Sequence, residues 1–280
     1  MVRLSDMPAS VPRITTRNAR FQQWQALLSN RTKRWRLGAF VVQGVRPITM
    51  AVEHGWRVDA VLFDAERRLS GWARTILETV DAAHYALSPA LLAELGEKDD
   101  GAPELLAVVC LPEDTLDRIT PGPDFLGVVF DRPAGPGNLG SVIRSADAFG
   151  AGGVIVTGHA ADPYDTAAVR ASTGSLFAVP TVRTASPRDV LAWVEAHRSA
   201  GVPIQIVGTD EHGAADVFDA DLTGPTLLVI GNETSGLSTT WRDAVDQMLR
   251  IPMTGSASSL NAANAASVVL YEARRQRSRD

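Results

Sequence analysis

The apolar run Leu126–Phe130, with the sequence LGVVF, leads through Asp131 into the glycine-rich segment Gly135–Gly140, with the sequence GPGNLG. A short apolar run followed by glycine and proline is typical of a buried strand that ends in a turn. Similar runs follow at Gly153–Val156, Ala178–Val182, Ile204–Val207, Thr226–Ile230 and Met248–Ile251, with room for helices between them. This alternation predicts an α/β domain with a parallel sheet, which binds ligands at the carboxyl ends of its strands.

The chain before this domain predicts a second, smaller α/β unit. A helix is expected over Thr15–Asn30, capped by Thr15 or Thr16, and a loop over Asn30–Arg34. Strands and helices are then expected to alternate over residues 39–42, 46–54, 58–63, 72–80 and 107–111. The stretch that follows is rich in proline and acidic residues, which is typical of a linker. The expected divisions are a tail over residues 1–12, a domain over 13–112, a linker over 113–124 and a domain over 125–280.

Composition excludes several classes of protein. The chain has 280 residues, of which 45% are hydrophobic and 21% charged, enough to bury a sizeable core. Its one cysteine, Cys110, cannot form an intrachain disulfide, and its five histidines show no paired spacing, so no metal site is expected. No signal peptide and no apolar run of about 20 residues is found, so the expected location is the cytoplasm, with no membrane partner.

Positive charge is concentrated near the N-terminus. Residues 1–50 contain nine Lys or Arg and one acidic residue, a local charge of +8 within a chain of net charge −5. Such a segment suits binding to a polyanion such as a nucleic acid, because each phosphate that it neutralises releases counterions and so adds affinity. The predicted RNA-binding residues are Arg17, Arg20, Arg31, Lys33, Arg34 and Arg36. The alternative is a solvated helix face over a core that contains Phe21 and Trp24, which have helical spacing.

Gly135–Gly140 also fits the G-x-G-x-x-G fingerprint of dinucleotide-binding proteins. A lone glycine fingerprint is a weak signal, and the next strand runs into Thr157–His159 without an acidic residue for the ribose. Nicotinamide-cofactor binding is therefore disfavoured.

Three segments in this order carry a more specific signal: Asn138–Arg144 (NLGSVIR), Ile230–Leu237 (IGNETSGL) and Ile251–Asn261 (IPMTGSASSLN). Together they resemble the three motifs of the SpoU, or TrmH-like, branch of the SPOUT methyltransferases. The N-terminal part is similar to the L30e-like substrate-binding domain fused to many of these enzymes; Asn18, Arg31, Arg34 and Phe40–Gly44 carry that likeness. Two departures from the family pattern, Gln43 and Gly135–Gly137, remove no side chain assigned to catalysis.

The resemblance implies a C-terminal SPOUT domain whose parallel sheet contains a trefoil knot, an exception to the rule that protein chains avoid knots. It also implies S-adenosyl-L-methionine as cofactor, RNA as partner, and a homodimer formed through the C-terminal domain. The expected reaction is methylation of a ribose 2′-hydroxyl in 23S rRNA. One possible use is resistance to a ribosome-targeting antibiotic such as avilamycin.

Carried over by motif position, the expected catalytic residues are Arg144, Asn138, Glu233, Ser259 and Asn261. The expected cofactor-binding residues are Gly231, Asn232, Glu233, Ile251, Met253, Ser259 and Leu260. In the family view Arg144 activates the ribose hydroxyl, but a guanidinium is not readily deprotonated and is a poor base. Two roles therefore stay open for Arg144: general base, or electrostatic stabiliser of the developing alkoxide.

Two other functions remain as alternatives. One is ribose methylation of tRNA, which the separate N-terminal domain disfavours. The other is a non-catalytic RNA-binding assembly factor, which the complete set of motif residues disfavours.

Overall fold

A computed structural model describes residues 11–97 and 102–278. Most of the predicted tail, residues 1–10, therefore lies outside the described residues. The chain divides into two compact units. The first unit runs to Pro112 and includes Tyr164–Thr166, and the second contains Glu113–Pro163 and the chain from Ala167 onward.

The first unit is an α/β domain built on one mixed sheet. Its elements are β1 (Arg13–Ile14), α1 (Ala19–Ser29), α2 (Arg31–Leu37), β2 (Ala39–Gln43), α3 (Val45–Glu53), β3 (Val58–Asp64), α4 (Gly71–Thr79), β4 (Ala83–Leu87), α5 (Pro89–Gly96) and β5 (Leu105–Cys110). The strand order is β1-β4-β3-β5-β2, with β5 antiparallel to both of its neighbours. Phe21 and Trp24 are buried in its core, which confirms the interpretation of these aromatic residues as core residues.

Two local predictions for this unit are wrong. The first helix begins at Ala19 because the side chain of Asn18, not Thr15 or Thr16, accepts the N–H of Phe21 at 3.0 Å. The predicted loop at Asn30–Arg34 is instead the start of α2. There Asn30 caps the helix by accepting the N–H of Lys33 at 3.0 Å, an arrangement that asparagine favours.

The second unit is built on a seven-stranded sheet in which every pairing is parallel, as predicted. Its elements are β6 (Leu126–Asp131), α6 (Pro136–Ala148), β7 (Gly153–Thr157), α7 (Thr166–Ser172), α8 (Ser175–Ala178), β8 (Thr181–Thr184), α9 (Pro187–Ser199), β9 (Gln205–Thr209), β10 (Ala215–Asp216), β11 (Thr226–Ile230), α10 (Thr239–Ala244), β12 (Gln247–Arg250) and α11 (Ala262–Arg277). The strand predicted from Ala178 begins later, at Thr181, because Ser175–Ala178 forms a short helix.

Strand order places the motif loops together. The order is β10-β12-β9-β11-β6-β7-β8, so β11 lies between β9 and β6, and β12 lies between β10 and β9. Since all these strands are parallel, the loops that follow β6, β9, β11 and β12 leave the same edge of the sheet. Within the described part of the chain, none of the helices has both the length and the apolar character needed to cross a membrane.

Candidate active site

A cleft of about 610 Å³ opens where β9, β11 and β12 end. This volume lies within the range of small-molecule sites. The cleft is lined by Thr209–His212, Ile230–Gly236, Arg242, Met248, Leu249, Ile251, Met253, Ser259, Leu260, Ala262 and Ala265. All seven residues predicted to bind a cofactor are in this set, although they come from three separate segments of the chain.

The loop Gly231–Gly236 forms one wall of the cleft and is closed on itself. Backbone hydrogen bonds of 3.0 Å run in both directions between Asn232 and Gly236. The Asn232 side-chain oxygen accepts the N–H groups of Thr234 and Ser235, and its amide donates to the carbonyl of Arg132 at 2.7 Å. A Cβ on Gly231 would lie 2.5 Å from the carbonyl carbon of Gly236, so only glycine fits there.

Glu233 ties this loop to the segment after β6. Its carboxylate accepts the N–H of Ala134 at 2.9 Å, the N–H of Gly135 at 3.2 Å and the side-chain amide of Asn138 at 2.9 Å. Burial alone would raise the pKa of the Glu233 carboxyl, but these hydrogen bonds outweigh it and hold the pKa below its usual value. Glu233 is therefore an ionised anchor, and its partners leave little capacity for a role as proton acceptor.

Asn138 and Asn261 extend this contact to the third motif. The Asn261 amide donates to the side-chain oxygen of Asn138 at 3.1 Å. The other end of the Asn261 side chain accepts the N–H of Ala263 at 2.9 Å and so caps α11. Glu233, Asn138 and Asn261 thus form a continuous hydrogen-bonded chain that joins the three motifs. Ser259, from the third motif, is exposed and lines the cleft.

Arg144 lies apart from this chain of hydrogen bonds. It is exposed on α6, two residues beyond Val142, whose side chain is buried. No hydrogen bond or ion pair of its guanidinium is found among the residues that the structure describes. A cation that is not held by the protein is available to an external anion.

Sequence reasoning missed the pair Asp131 and Arg132 at the end of β6. Asp131 is fully buried and accepts the hydroxyl of Thr157 at 3.0 Å and the N–H of Ser238 at 2.8 Å. Arg132 donates to Asp131 at 3.1 Å and to the carbonyl of Gly236 at 2.9 Å. The sequence did carry a signal for this pair: an aspartate and an arginine lie directly at the carboxyl end of a predicted strand, where parallel sheets bind ligands.

The structure places most of the segment Asp210–Gly213, which follows β9, at the cleft. Asp210, Glu211 and His212 line the cleft, as does Arg242 on α10. Gly213 lies so close to the Leu249–Arg250 backbone that a Cβ would overlap it. This close approach sets the position of the loop after β9.

The predicted RNA-binding residues belong to the first unit and differ in their surroundings. Arg17, Arg20, Arg31 and Arg36 are exposed, and Lys33 is half-buried. Arg17 forms an ion pair with Glu94 at 2.8 Å. Arg34 is only 2% exposed and donates to the carbonyls of Leu27 and Leu28 at 2.8 and 3.1 Å. Because this guanidinium is buried, its placement contradicts the expectation that Arg34 contacts RNA and gives it a structural role.

No group of three or more histidine, cysteine, aspartate or glutamate side chains suited to a metal ion occurs within residues 11–97 and 102–278.

Comparison with known proteins identifies both units. The family model of the SpoU L30e-like domain matches residues 18–107, and that of the SpoU rRNA Methylase family matches residues 126–271. The chain is 64% identical to the 23S rRNA (uridine(2479)-2′-O)-methyltransferase of Streptomyces viridochromogenes over 265 residues, 95% of this chain and 92% of that protein. It is 27% identical to the 23S rRNA (guanosine(2553)-2′-O)-methyltransferase RlmP of Bacillus subtilis, over 93% of this chain and 98% of that protein.

Solved structures agree with this result. The crystal structure of the SpoU methyltransferase AviRb from Streptomyces viridochromogenes, in complex with the cofactor AdoMet, superposes with a TM-score of 0.91. The match has 64% sequence identity and covers 93% of this chain and 98% of that one. The predicted family and the predicted α/β fold, with its L30e-like and methylase domains, are therefore confirmed, and the chain belongs to the SpoU rRNA methylase family.

Proposed function

We propose that this protein is an S-adenosyl-L-methionine-dependent methyltransferase that modifies a ribose 2′-hydroxyl in 23S rRNA. The observation that carries the proposal is the hydrogen-bonded chain of Glu233, Asn138 and Asn261, which meets the cleft at Glu233. This chain joins the three family motifs beside a space suited to a small molecule. The relative that is 64% identical is named for the same reaction.

The cleft residues fit S-adenosylmethionine. Gly231 lines the cleft, and because glycine has no side chain, a ligand can come close to its backbone groups. The backbone of Gly231–Glu233, Ile251–Met253 and Ser259–Leu260 would hold the cofactor. The cleft is lined by three carboxylates, Asp210, Glu211 and Glu233, against one guanidinium, Arg242, an excess of negative charge that suits a positively charged sulfonium. When bound, the cofactor supplies an electrophilic methyl group.

The protein's own residues bind and orient the ribose. Arg144 has an exposed guanidinium with no protein partner among the described residues, so it is the group available to a ribose oxygen and its neighbouring phosphate. It stabilises the negative charge that develops on the 2′-oxygen, because a guanidinium stays protonated near neutral pH. Asn138 and Asn261 keep the surrounding loops in place, and Ser259 faces the ligand space. Positioning of this kind removes translational and rotational freedom before the reaction.

The first unit supplies the attraction for RNA. Its exposed basic residues, Arg17, Arg20, Arg31 and Arg36, together with half-buried Lys33, give its N-terminal part a positive surface, whereas residues 51–280 carry a net charge of −13. The substrate is therefore bound mainly through phosphates by this unit. Arg34 is left out of this set because it is buried.

Five further features belong to the same proposal. The protein forms a homodimer through the C-terminal domain, supported by Val268 and Tyr271, which are 39% and 58% exposed on α11. The chain after β11 forms the trefoil knot of the family. The domain limits are residues 13–112 and 125–280, with a linker over 113–124. The protein acts in the cytoplasm and gives resistance to an antibiotic that binds the modified region.

Methyl transfer tests the proposal directly. S-adenosylmethionine with a labelled methyl group is incubated with separate 23S rRNA, 16S rRNA and tRNA transcripts, with Arg144→Ala as control, and the blocked ribose is mapped. Label on one 23S nucleotide that is lost with Arg144→Ala supports the proposal. Label on tRNA would show that tRNA, and not 23S rRNA, is the substrate. A protein that binds the cofactor but methylates neither transcripts nor large ribosomal subunits is a scaffold, and the proposal fails.

A further inference from the structure

We propose that Arg132 is a positioning residue for the cofactor, which acts by holding the loop Gly231–Gly236 in its binding conformation. This inference rests on the proposed function. The guanidinium donates to the carbonyl of Gly236 at 2.9 Å and to the hydroxyl of Ser235 at 3.3 Å, and its Nε donates to Asp131 at 3.1 Å. Arg132 thus joins the end of β6 to the part of the loop that the Glu233 anchor does not reach.

The backbone around Arg132 is arranged to allow these contacts. Arg132 has φ of 54°, a left-handed conformation that non-glycine residues seldom adopt. Gly158, after β7, also has positive φ, and a Cβ there would lie 2.9 Å from the Cγ of Arg132. A disfavoured conformation persists only where surrounding contacts enforce it, and such residues concentrate at functional sites. The neighbourhood of Arg132 is therefore built around the direction of this side chain.

Asp131 fixes the direction in which the Arg132 guanidinium points toward the loop. Its carboxylate is fully buried and also accepts the hydroxyl of Thr157 and the N–H of Ser238. A buried carboxylate held by neutral donors gives the guanidinium a fixed partner, and charge-assisted hydrogen bonds of this kind are stronger than neutral ones. Thr157 and Ser238 also hold the Asp131 carboxylate, so the removal of Arg132 is expected to loosen the loop while the sheet remains folded.

The loop has two separate supports in this arrangement. Glu233 holds its first half to Ala134, Gly135 and Asn138, and Arg132 holds its second half at Ser235 and Gly236. The cofactor-facing backbone groups lie between these supports. Loss of Arg132 therefore affects cofactor affinity, while RNA affinity, which depends on the basic first unit, is retained.

Three variants test this role: Arg132→Ala, Arg132→Gly and Arg132→Lys. Glycine accepts the left-handed backbone, so Arg132→Gly removes the guanidinium without leaving conformational strain. Arg198→Ala is the matched control, because Arg198 also donates to one carboxylate, of Asp246, and one carbonyl, of Ile204. The two arginine side chains are equally exposed, at 33% and 32%, and Arg198 does not line the cleft.

Titration calorimetry with S-adenosylmethionine and S-adenosylhomocysteine gives the first result. We expect the Kd of both to rise about tenfold in Arg132→Ala and Arg132→Gly, with a smaller rise in Arg132→Lys and less than a twofold change in Arg198→Ala. The KM for RNA is expected to stay within twofold, and kcat at saturating cofactor within threefold. An unchanged cofactor Kd in both Arg132→Ala and Arg132→Gly overturns the inference. A raised KM for RNA with unchanged cofactor Kd also overturns it, because Arg132 would then contact the substrate.

Hydrogen exchange of the unliganded protein provides a readout independent of turnover. In Arg132→Lys, the mildest variant, the amides of Asn232 and Gly236 are expected to exchange faster, while those of β6 and β11 stay protected. Unchanged exchange in the loop contradicts the positioning role even if the other two variants fold poorly. A wild-type protein that binds neither S-adenosylmethionine nor S-adenosylhomocysteine refutes the proposed function instead, since this loop effect is measured without ligand.

Discussion

Replacing Gly231 by alanine should abolish tight cofactor binding, because the added methyl group has no free space. Its Cβ would lie 2.5 Å from the carbonyl carbon of Gly236 and 2.6 Å from the nitrogen of Leu237. Non-bonded carbon atoms approach to about 3.5–4.0 Å, so the two backbone segments would have to separate by about 1 Å. Both atoms are in the backbone, and no side-chain rotation can relieve the overlap.

The cost in free energy follows from the contacts that this separation of the two backbone segments disturbs. Overpacking of this kind costs about 1–3 kcal/mol. The paired hydrogen bonds between Asn232 and Gly236 span the same gap, and each contributes about 1 kcal/mol. With one of these two hydrogen bonds broken, the free energy of cofactor binding is expected to weaken by about 2–4 kcal/mol, and the lower limit corresponds to a Kd for S-adenosylmethionine raised about 30-fold.

Calorimetric titration measures this effect, and urea denaturation separates loss of binding from loss of folding. Gly224→Ala is the control, because a Cβ at Gly224 meets no atom within 4 Å and its backbone is not left-handed. If Gly231→Ala binds S-adenosylmethionine within threefold of the wild-type affinity, the close approach of the loop to the Gly236 backbone is not needed for binding, and the reasoning is refuted.

Three further results are expected. Arg144→Ala should lower kcat at least 100-fold and leave the cofactor Kd within twofold, as measured by single-turnover methylation and calorimetry, since the proposed partner of Arg144 is the ribose and not the cofactor. The depressed pKa of Glu233 means that its contribution to stability is fully present above the ordinary pKa of an unfolded-state glutamate and is lost as the pH falls through the lower folded-state pKa. Acid unfolding followed by circular dichroism should therefore be less steep in Glu233→Gln, and an identical acid transition would count against the anchor role. Tyr271→Glu should shift the mass from dimer to monomer in light scattering at micromolar concentration, and a wild-type monomer would contradict the proposed interface.

The parallel sheet and the motif loops were predictable because they depend on local pattern. Apolar runs such as Leu126–Phe130 are nearly continuous, as is typical of strands buried on both faces. The family motifs then indicated which loops meet at the cleft. These features depend on short segments, each of which carries its own signal.

The remaining features depend on contacts between distant segments. The guanidinium of Arg34 is buried because it satisfies the carbonyls of Leu27 and Leu28 at the end of α1, and charge counting cannot distinguish it from exposed Arg36. Arg132 reaches Gly236, far along the chain, and only the strand order brings the two together. Side chains that act through tertiary partners carry no periodic signal in the sequence.

The parallel pairing of β6 with β11 also sets an order of events during synthesis. Leu126 pairs with Thr226, about 100 residues further along, and long-range pairing of this kind is slow because a large loop must close first. Until β11 emerges from the ribosome, one edge of β6 has exposed, unpaired backbone and the apolar side chains of Val128 and Val129 lack part of their cover. The nascent chain therefore passes through an aggregation-prone stage, and its yield should respond to chaperone supply and growth temperature more than that of a hairpin-rich protein of equal length.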